Sequence, residues 1–288
     1  MKALLVFLLF LAQGLSAMDW PSAQGKIIKN FGWNDKGMPQ LGVSFEAEGP
    51  LEAAGKGELL YRRLEGDTAS KLPSPLGSWA ALDHGDGIIS IYSRFGDRSS
   101  NPASGLPGEI EKGGVLGRAG ISGWSSRNGF YFQLFDRREK RWINPSLIIT
   151  SLEDSRTPVV MAVRLRDRQG EVFNPYLTRN LNQGRYTVIV DAYDIIQDQP
   201  DNPLAPFRII CSLNGSETGA LTFETYSARD GSLMAYRNGL VPARIVYAPF
   251  PAYEISDLWL SRGQTNLEII VQDISGNVRN VIYRLIIE

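Results

Sequence analysis

Histidine, cysteine and carboxylate side chains activate water, attack carbonyls and hold metals. In this 288-residue sequence histidine occurs once, as His84, and cysteine once, as Cys211. A catalytic zinc generally takes three protein ligands, mostly His, Cys or carboxylate, with water in the fourth position. No His-rich or Cys-rich set can be built from one of each, far apart in sequence. A Ser-His-Asp arrangement would have to use His84, and no Gly-x-Ser-x-Gly elbow occurs to receive it. Cys211 lies between Ile209-Ile210 and Leu213 in an apolar, strand-like run; it reads as a buried, inert thiol, and a single cysteine forms no internal disulfide. Asp83, Asp86 and Asp97 offer oxygens to a hard cation, but they lack the dense spacing of a calcium loop and read as solvated turn carboxylates. His84 reads as a turn histidine bonded to neighbouring backbone. No metal and no cofactor are expected.

Such residues need a scaffold, and the composition describes one. Hydrophobic residues make up 43%, charged residues 21%, and there are 29 Gly and 16 Pro, which is a turn-rich globular chain long enough for two domains. The formal net charge of −1, with interspersed signs, provides no attraction for phosphate backbones, so nucleic-acid binding is not expected. Met1-Lys2, an apolar run from Ala3 to Ala12, and small residues at Ser16-Ala17 have the layout of a secretory signal peptide cleaved after Ala17. The run is too short to span a bilayer, so no stable membrane insertion is expected after cleavage, and the protein is expected to be periplasmic or otherwise extracytoplasmic.

From Trp20 to Ile149 short apolar runs alternate with Gly-rich turns, predicting strands at Lys26–Phe31, Gly42–Phe45, Gly57–Arg63, Trp79–Asp83, Ile88–Phe95 and Phe130–Asp136. Gly96–Pro107 reads as a surface loop. The charged stretch Ser151–Thr157 marks a boundary between domains at 18–150 and 158–288. Beyond it, strands are predicted at Val159–Leu165, Arg185–Tyr193, Pro206–Leu213, Leu221–Tyr226, Ala243–Tyr247, Asn266–Asp273 and Val281–Ile287. Seven short strands argue a two-sheet sandwich. The Asp273-Ile274-Ser275-Gly276-Asn277 connection resembles the last hairpin of bacterial immunoglobulin-like modules.

In the first domain, Leu82-Asp83-His84-Gly85-Asp86-Gly87 leading into Ile88–Phe95 resembles the Asp-His-Gly-Asn-Gly turn and Tyr-Ala-His strand of lysostaphin/LytM-type peptidoglycan zinc metallopeptidases. Gly113-Gly114-Val115-Leu116-Gly117-Arg118-Ala119-Gly120, then Gly129–Leu134, then Trp142-Ile143-Asn144-Pro145 resemble the family's Gly-rich hairpin, His-x-His strand and closing Asn-Pro. With Gly25-Lys26-Ile27-Ile28 and Phe31-Gly32, the similarity covers about residues 21 to 150. It implies a mostly β protein: a LytM-type, duplicated-hybrid-motif-like β-sheet domain followed by an immunoglobulin-like β-sandwich.

The departures from the family fall on the ligands. Against the family's His-x-Gly-x-Asp stands Gln40-Leu41-Gly42-Val43-Ser44, and the third ligand position is Tyr131. The two further family histidines correspond to Arg94 and Gly129. Gln is a weak zinc donor and neutral Ser and Tyr hydroxyls are poor ones, so no endopeptidase activity is expected. The resemblance implies that the groove outlives catalysis, with Trp33, Tyr92, Arg94, Trp124 and Tyr131 as candidate binding residues. It implies a non-catalytic envelope protein that binds peptidoglycan or regulates a cell-wall amidase or divisome protein. An active zinc endopeptidase cleaving peptide cross-bridges is the alternative.

Overall fold

The computed structural model describes residues 18–66, 72–99, 108–149, 154–196 and 201–288. The signal-peptide expectation, residues 100–107 of the expected loop and residues 151–153 of the connection lie outside the described residues. The regular structure of the described residues is nearly all β-strand, with two short 3₁₀ turns and no α-helix. Among them no helix is long and apolar enough to cross a membrane.

In the first half, Gly57–Arg63, Ser78–Asp83, Ile88–Phe95 and Gly129–Asp136 lie side by side as antiparallel strands. The far edge of Gly129–Asp136 is shared: its beginning pairs with Val43–Glu46, which pairs with Lys26–Lys29, and its end pairs with Arg141–Ile143. Strand parity then sorts the side chains, because residues directly opposite one another share a face. Val43, Phe132 and Tyr92 are each 0% exposed and join Phe45, Phe130 and Leu134 in one core. Burying each such side chain stabilises by about 1.5–3 kcal/mol. Lys29, Ser44, Tyr131 and Ser93 form the neighbouring cross-strand row.

In the second half, Arg208–Leu213, Ser216–Arg229, Gly263–Gln272 and Val278–Ile287 make one sheet, and Val159–Arg166, Gly184–Tyr193 and Ala252–Leu260 make most of another. Their inner faces share a core that includes Val163, Val188, Val190, Ile209, Cys211, Phe223 and Ile269. The thiol of Cys211 is fully buried and pushed up to about 11 by that burial, so it is inert at neutral pH. The expected strand at Ala243–Tyr247 is corrected: Ala243–Ile245 is a 3₁₀ turn behind Pro242, whose ring sets the entry φ. Among the strands that the sequence does not predict, the two longest in this half are Ser232–Arg237 and Ala252–Leu260. Glu254 and Asp257 interrupt the apolar run of Ala252–Leu260, Ser232–Arg237 has only four apolar residues between its two ends, and pairing with long neighbours supplies the missing stability.

The halves are joined by backbone. Arg141–Ile143 pairs with Ser216–Arg229, opposing Trp142 to Tyr226, so a single sheet runs through both. Phe31, from the first half, sits in the second core, and the Tyr247 hydroxyl donates to the Gly32 carbonyl at 2.8 Å. Asn144 closes the seam: its Oδ1 accepts from Ser146 N at 3.1 Å and its Nδ2 donates to the Phe223 carbonyl at 2.9 Å. Asn144→Ala removes a cap and leaves a buried carbonyl short of a donor, an expected loss of about 2 kcal/mol. Urea unfolding should show it as a lower midpoint at unchanged slope; an unchanged midpoint would refute the role.

Candidate functional site

Of the five positions at which the resemblance expects former ligands or catalytic histidines, Ser44 and Arg94 line a cavity of about 390 Å³, whereas Gln40, Gly129 and Tyr131 are not in its lining. Ser44 and Tyr131 stand opposite each other in the row Lys29–Ser44–Tyr131–Ser93. Ser44 lines it from the Val43–Glu46 strand, and its buried Oγ has no hydrogen-bond partner. Arg94 lines it from near the end of Ile88–Phe95, in a left-handed conformation with φ of 63°. The Arg94 guanidinium carbon stands 5.0 Å from the Tyr131 ring centroid, and its buried Nε also lacks a partner. Tyr131 is buried beneath it. Burial raises the Tyr131 phenol above its ordinary value, opposed by the Arg94 charge and a Leu41 backbone hydrogen bond.

Zinc does not fit this set. Gln40 is buried with its amide turned to Asp35, 3.3 Å away. Ser44 and Tyr131 offer neutral hydroxyls, and Arg94 adds a permanent cation 5.0 Å from the Tyr131 ring, which repels a metal ion. Gly129 cannot exchange its hydrogen for an imidazole, because a Cβ there would lie 1.9 Å from the Phe45 carbonyl oxygen.

The expected groove residues divide. Trp124 lines the cavity and is 78% exposed. Tyr92 is in the core instead, its hydroxyl accepting from Ala54 N at 2.8 Å. Trp33 is half-buried and committed to the second half: its Nε1 donates to the Pro203 carbonyl at 3.1 Å and its ring stacks on Phe250 with centroids 5.2 Å apart. Three cations that the sequence reading passed over, Lys29, Lys36 and Arg127, also line the cavity, against the single carboxylate of Asp35. Lys29 pairs with Asp35 at 3.4 Å and Arg127 with Glu46 at 3.0 Å. Isolated surface lysines carry no local pattern, so only the register that gathers them reveals the basic lining.

A larger cavity, about 760 Å³, lies beside His84, but its polar groups already satisfy one another. His84 Nδ1 stands 2.8 Å from the Lys56 carbonyl, which can only accept, so Nδ1 carries a proton, and Nε2 lies within hydrogen-bond distance of Ser90 Oγ at 2.6 Å. Lys56 pairs with Glu109 and Glu111, and Arg137 with Asp83. The carboxylates of Asp83 and Asp97 accept from Gly85 N and Ser99 N in their own turns. The Arg94 cavity is therefore the better candidate, since two of its lining residues, Ser44 and Arg94, each keep a buried polar atom without a hydrogen-bond partner.

Burial lowers the His84 pKa from its ordinary value of 6.5, against the Lys56 hydrogen bond and the Asp83 charge. With the folded value below the unfolded one, the unfolded chain binds more protons between them. The contribution of His84 to stability is full above the unfolded value and is lost as pH falls through the folded one. The fall in melting temperature from about pH 7 to about pH 5 should therefore be smaller in His84→Gln than in the wild type. Equal falls would show that His84 does not carry the effect.

A protein-family model matches residues 157–288. An uncharacterized protein of Treponema pallidum (strain Nichols) is 28% identical over 126 residues, covering 41% of this chain and 86% of the relative. Structural neighbours are M23/LytM-type peptidases at low identity. The catalytic domain of EnpA, a prophage-encoded M23 protein from Enterococcus faecalis, aligns at 18% identity over 42% of this chain and 87% of its own, with a TM-score of 0.34. The lysostaphin catalytic domain from Staphylococcus simulans aligns at 19% identity over 39% and 81%, with a TM-score of 0.32. The SpoIIQ–SpoIIIAH pore-forming complex aligns at 15% identity over 47% and 92%, with a TM-score of 0.36.

Proposed function

We propose that this is a non-catalytic LytM-type peptidase-fold protein of the bacterial envelope, exported across the inner membrane, that binds peptidoglycan through the former metal groove. The observation that carries the reading is Arg94. An arginine with a buried, unpartnered Nε stands where the resemblance places a family histidine, and it lines one cavity together with Ser44, Lys29, Lys36 and Arg127. Guanidinium binds carboxylates in paired hydrogen bonds, and the stem peptides of the wall present carboxylates along an extended backbone. Trp124, exposed on the rim, supplies an apolar contact.

The division into 18–150 and 158–288 belongs to the same proposal. It is supported by two cores, one drawn almost wholly from each half, and by the span of the matching family model. The second half, with its two facing sheets, is proposed as an immunoglobulin-like module that the shared sheet holds at a fixed orientation to the groove.

Co-sedimentation of the purified protein with intact sacculi, in zinc-containing buffer at physiological salt, tests the function. Saturable pelleting without release of wall material is expected. Release that a chelator abolishes would overturn the non-catalytic reading in favour of an active zinc endopeptidase. Absence of pelleting would overturn wall binding and turn the search to a protein partner such as a cell-wall amidase or divisome protein.

A further inference from the structure

Three aspartates distant in sequence meet where the two halves join. Asp154 stands on the approach to Val159–Arg166, Asp194 directly after Gly184–Tyr193, and Asp273 directly after Gly263–Gln272. One carboxylate oxygen from each lies within 4.8 Å of the other two. That spacing has a meaning for coordination: calcium–oxygen bonds of about 2.3–2.6 Å allow ligand atoms up to about 5 Å apart across the ion.

Clustered carboxylates alone do not make a site, but Asp194 adds a second observation. It is 5% exposed, and its Oδ1 is buried with no hydrogen-bond partner. A buried anionic oxygen without a donor is costly, and buried charges are as a rule paired or bound to metal. The Asp194 carboxylate does accept one hydrogen bond, from the Ile195 backbone, and Asp273 accepts from Asn277 N and Nδ2, which leaves Asp194 Oδ1 as the oxygen without a donor.

The surroundings are built. The Asn277 amide donates both to Asp273 Oδ2 at 2.7 Å and to the Asp154 carbonyl at 3.0 Å, fixing two of the three segments to each other. Asp194 is held to Leu204 by a reciprocal pair of backbone hydrogen bonds at 2.9 Å. A cavity of about 40 Å³ adjoins the cluster, lined by Asp154 and Asp194 and also by Trp20, Asn30 and Ser146 from the first half. That is room for an ion or a bound water.

We propose that Asp154, Asp194 and Asp273 bind a divalent cation of calcium size at the seam between the two halves, where it fastens the end of the first half to the second. The cation satisfies Asp194 Oδ1 and relieves the mutual repulsion of the three carboxylates. With three carboxylates and a partly preformed cage, the expected dissociation constant is about 10⁻⁵–10⁻³ M.

The test is a calcium titration of the purified, chelator-stripped protein by calorimetry, with thermal melts in calcium and in EDTA. One calcium per chain is expected, together with a rise in melting temperature of roughly 5 °C at saturating metal. Asp194→Asn separates a metal site from a merely structural cluster. In EDTA it should melt at or above the wild-type temperature, because a repelling charge has gone, and it should lose the calcium-dependent rise. Asp273→Asn should lose the rise as well. No heat and no thermal shift in the wild type, or a shift that survives in both variants, would overturn the proposal.

Discussion

Gly129→Ala is expected to cost about 3 kcal/mol or more and to lower the melting temperature by roughly 10 °C. The added Cβ would sit 1.9 Å from the Phe45 carbonyl oxygen and 2.9 Å from its carbon. A flexible side chain could move aside, but this oxygen belongs to the backbone of a strand paired on both sides. Gly129 opposes Glu46 in that pairing, one step from Phe130 opposite Phe45, and the rings of Phe45 and Phe130 stack at 4.8 Å in the core. Relief therefore requires the Val43–Glu46 strand to retreat from Gly129–Asp136 or the stacked pair to separate, and both disturb packing at near-crystalline density. Gly42 makes the same demand from the other side, where a Cβ would meet the Phe132 carbonyl oxygen at 2.2 Å. The same clash implies that Gly129→His does not restore the family histidine that the resemblance aligns with this position; it is expected to give a less stable protein. Thermal melts of Gly129→Ala beside the wild type check the argument, and a melting temperature within about two degrees of the wild type would remove it.

Arg94→Asn is expected to weaken sacculus binding by about 30-fold, corresponding to about 2 kcal/mol for a lost charge-assisted contact. Asparagine is the substitution to use because Arg94 has a φ of 63°, and Asn enters the left-handed region at lower cost than other residues with a Cβ. The variant forfeits the contact between guanidinium and the Tyr131 ring, worth about 1 kcal/mol, so it should remain folded with a modestly reduced melting temperature. The informative readout is the pelleting isotherm at two ionic strengths. Wild-type binding should weaken as salt rises, because the Lys29, Lys36 and Arg127 charges around the cavity are screened, and the variant should show a shallower dependence. A variant that pellets like the wild type, while folded, would move the binding surface away from the Arg94 cavity.

Much of the strand framework was legible before any tertiary information. Gly57–Arg63 and Ile88–Phe95 are strands at the bounds the sequence predicts, because apolar residues and flanking glycine turns agree there. The connection at Asp273–Asn277 is a turn between paired strands, with Asn277 N donating to Asp273 Oδ1, as its Asp, Gly and Asn residues favour. Ala252–Leu260 was not legible. Its Glu254 and Asp257 break the apolar run, and its strand state rests on the residues of Gly184–Tyr193 lying opposite.

By itself the sequence determined which side chains are available for chemistry, one histidine and one cysteine, a matter of residue type; that Gln40, Ser44 and Tyr131 stand at ligand positions is what the resemblance implies. It also determined the all-β character, because alternation and turn residues act over a few neighbours. The tertiary structure decided which aromatics could meet a ligand. Tyr92 and Trp33 have the same local signature as groove residues, but register placed one in the core, and the second half claimed the other through Pro203 and Phe250. It also decided that Lys29, Lys36 and Arg127 share a cavity with Arg94, and that Asp154, Asp194 and Asp273 converge. The physical reason is common to all of these. Electrostatic and packing interactions act through space over a few ångströms, whereas the residues that make them are separated by tens of positions along the chain, where local pattern holds no information.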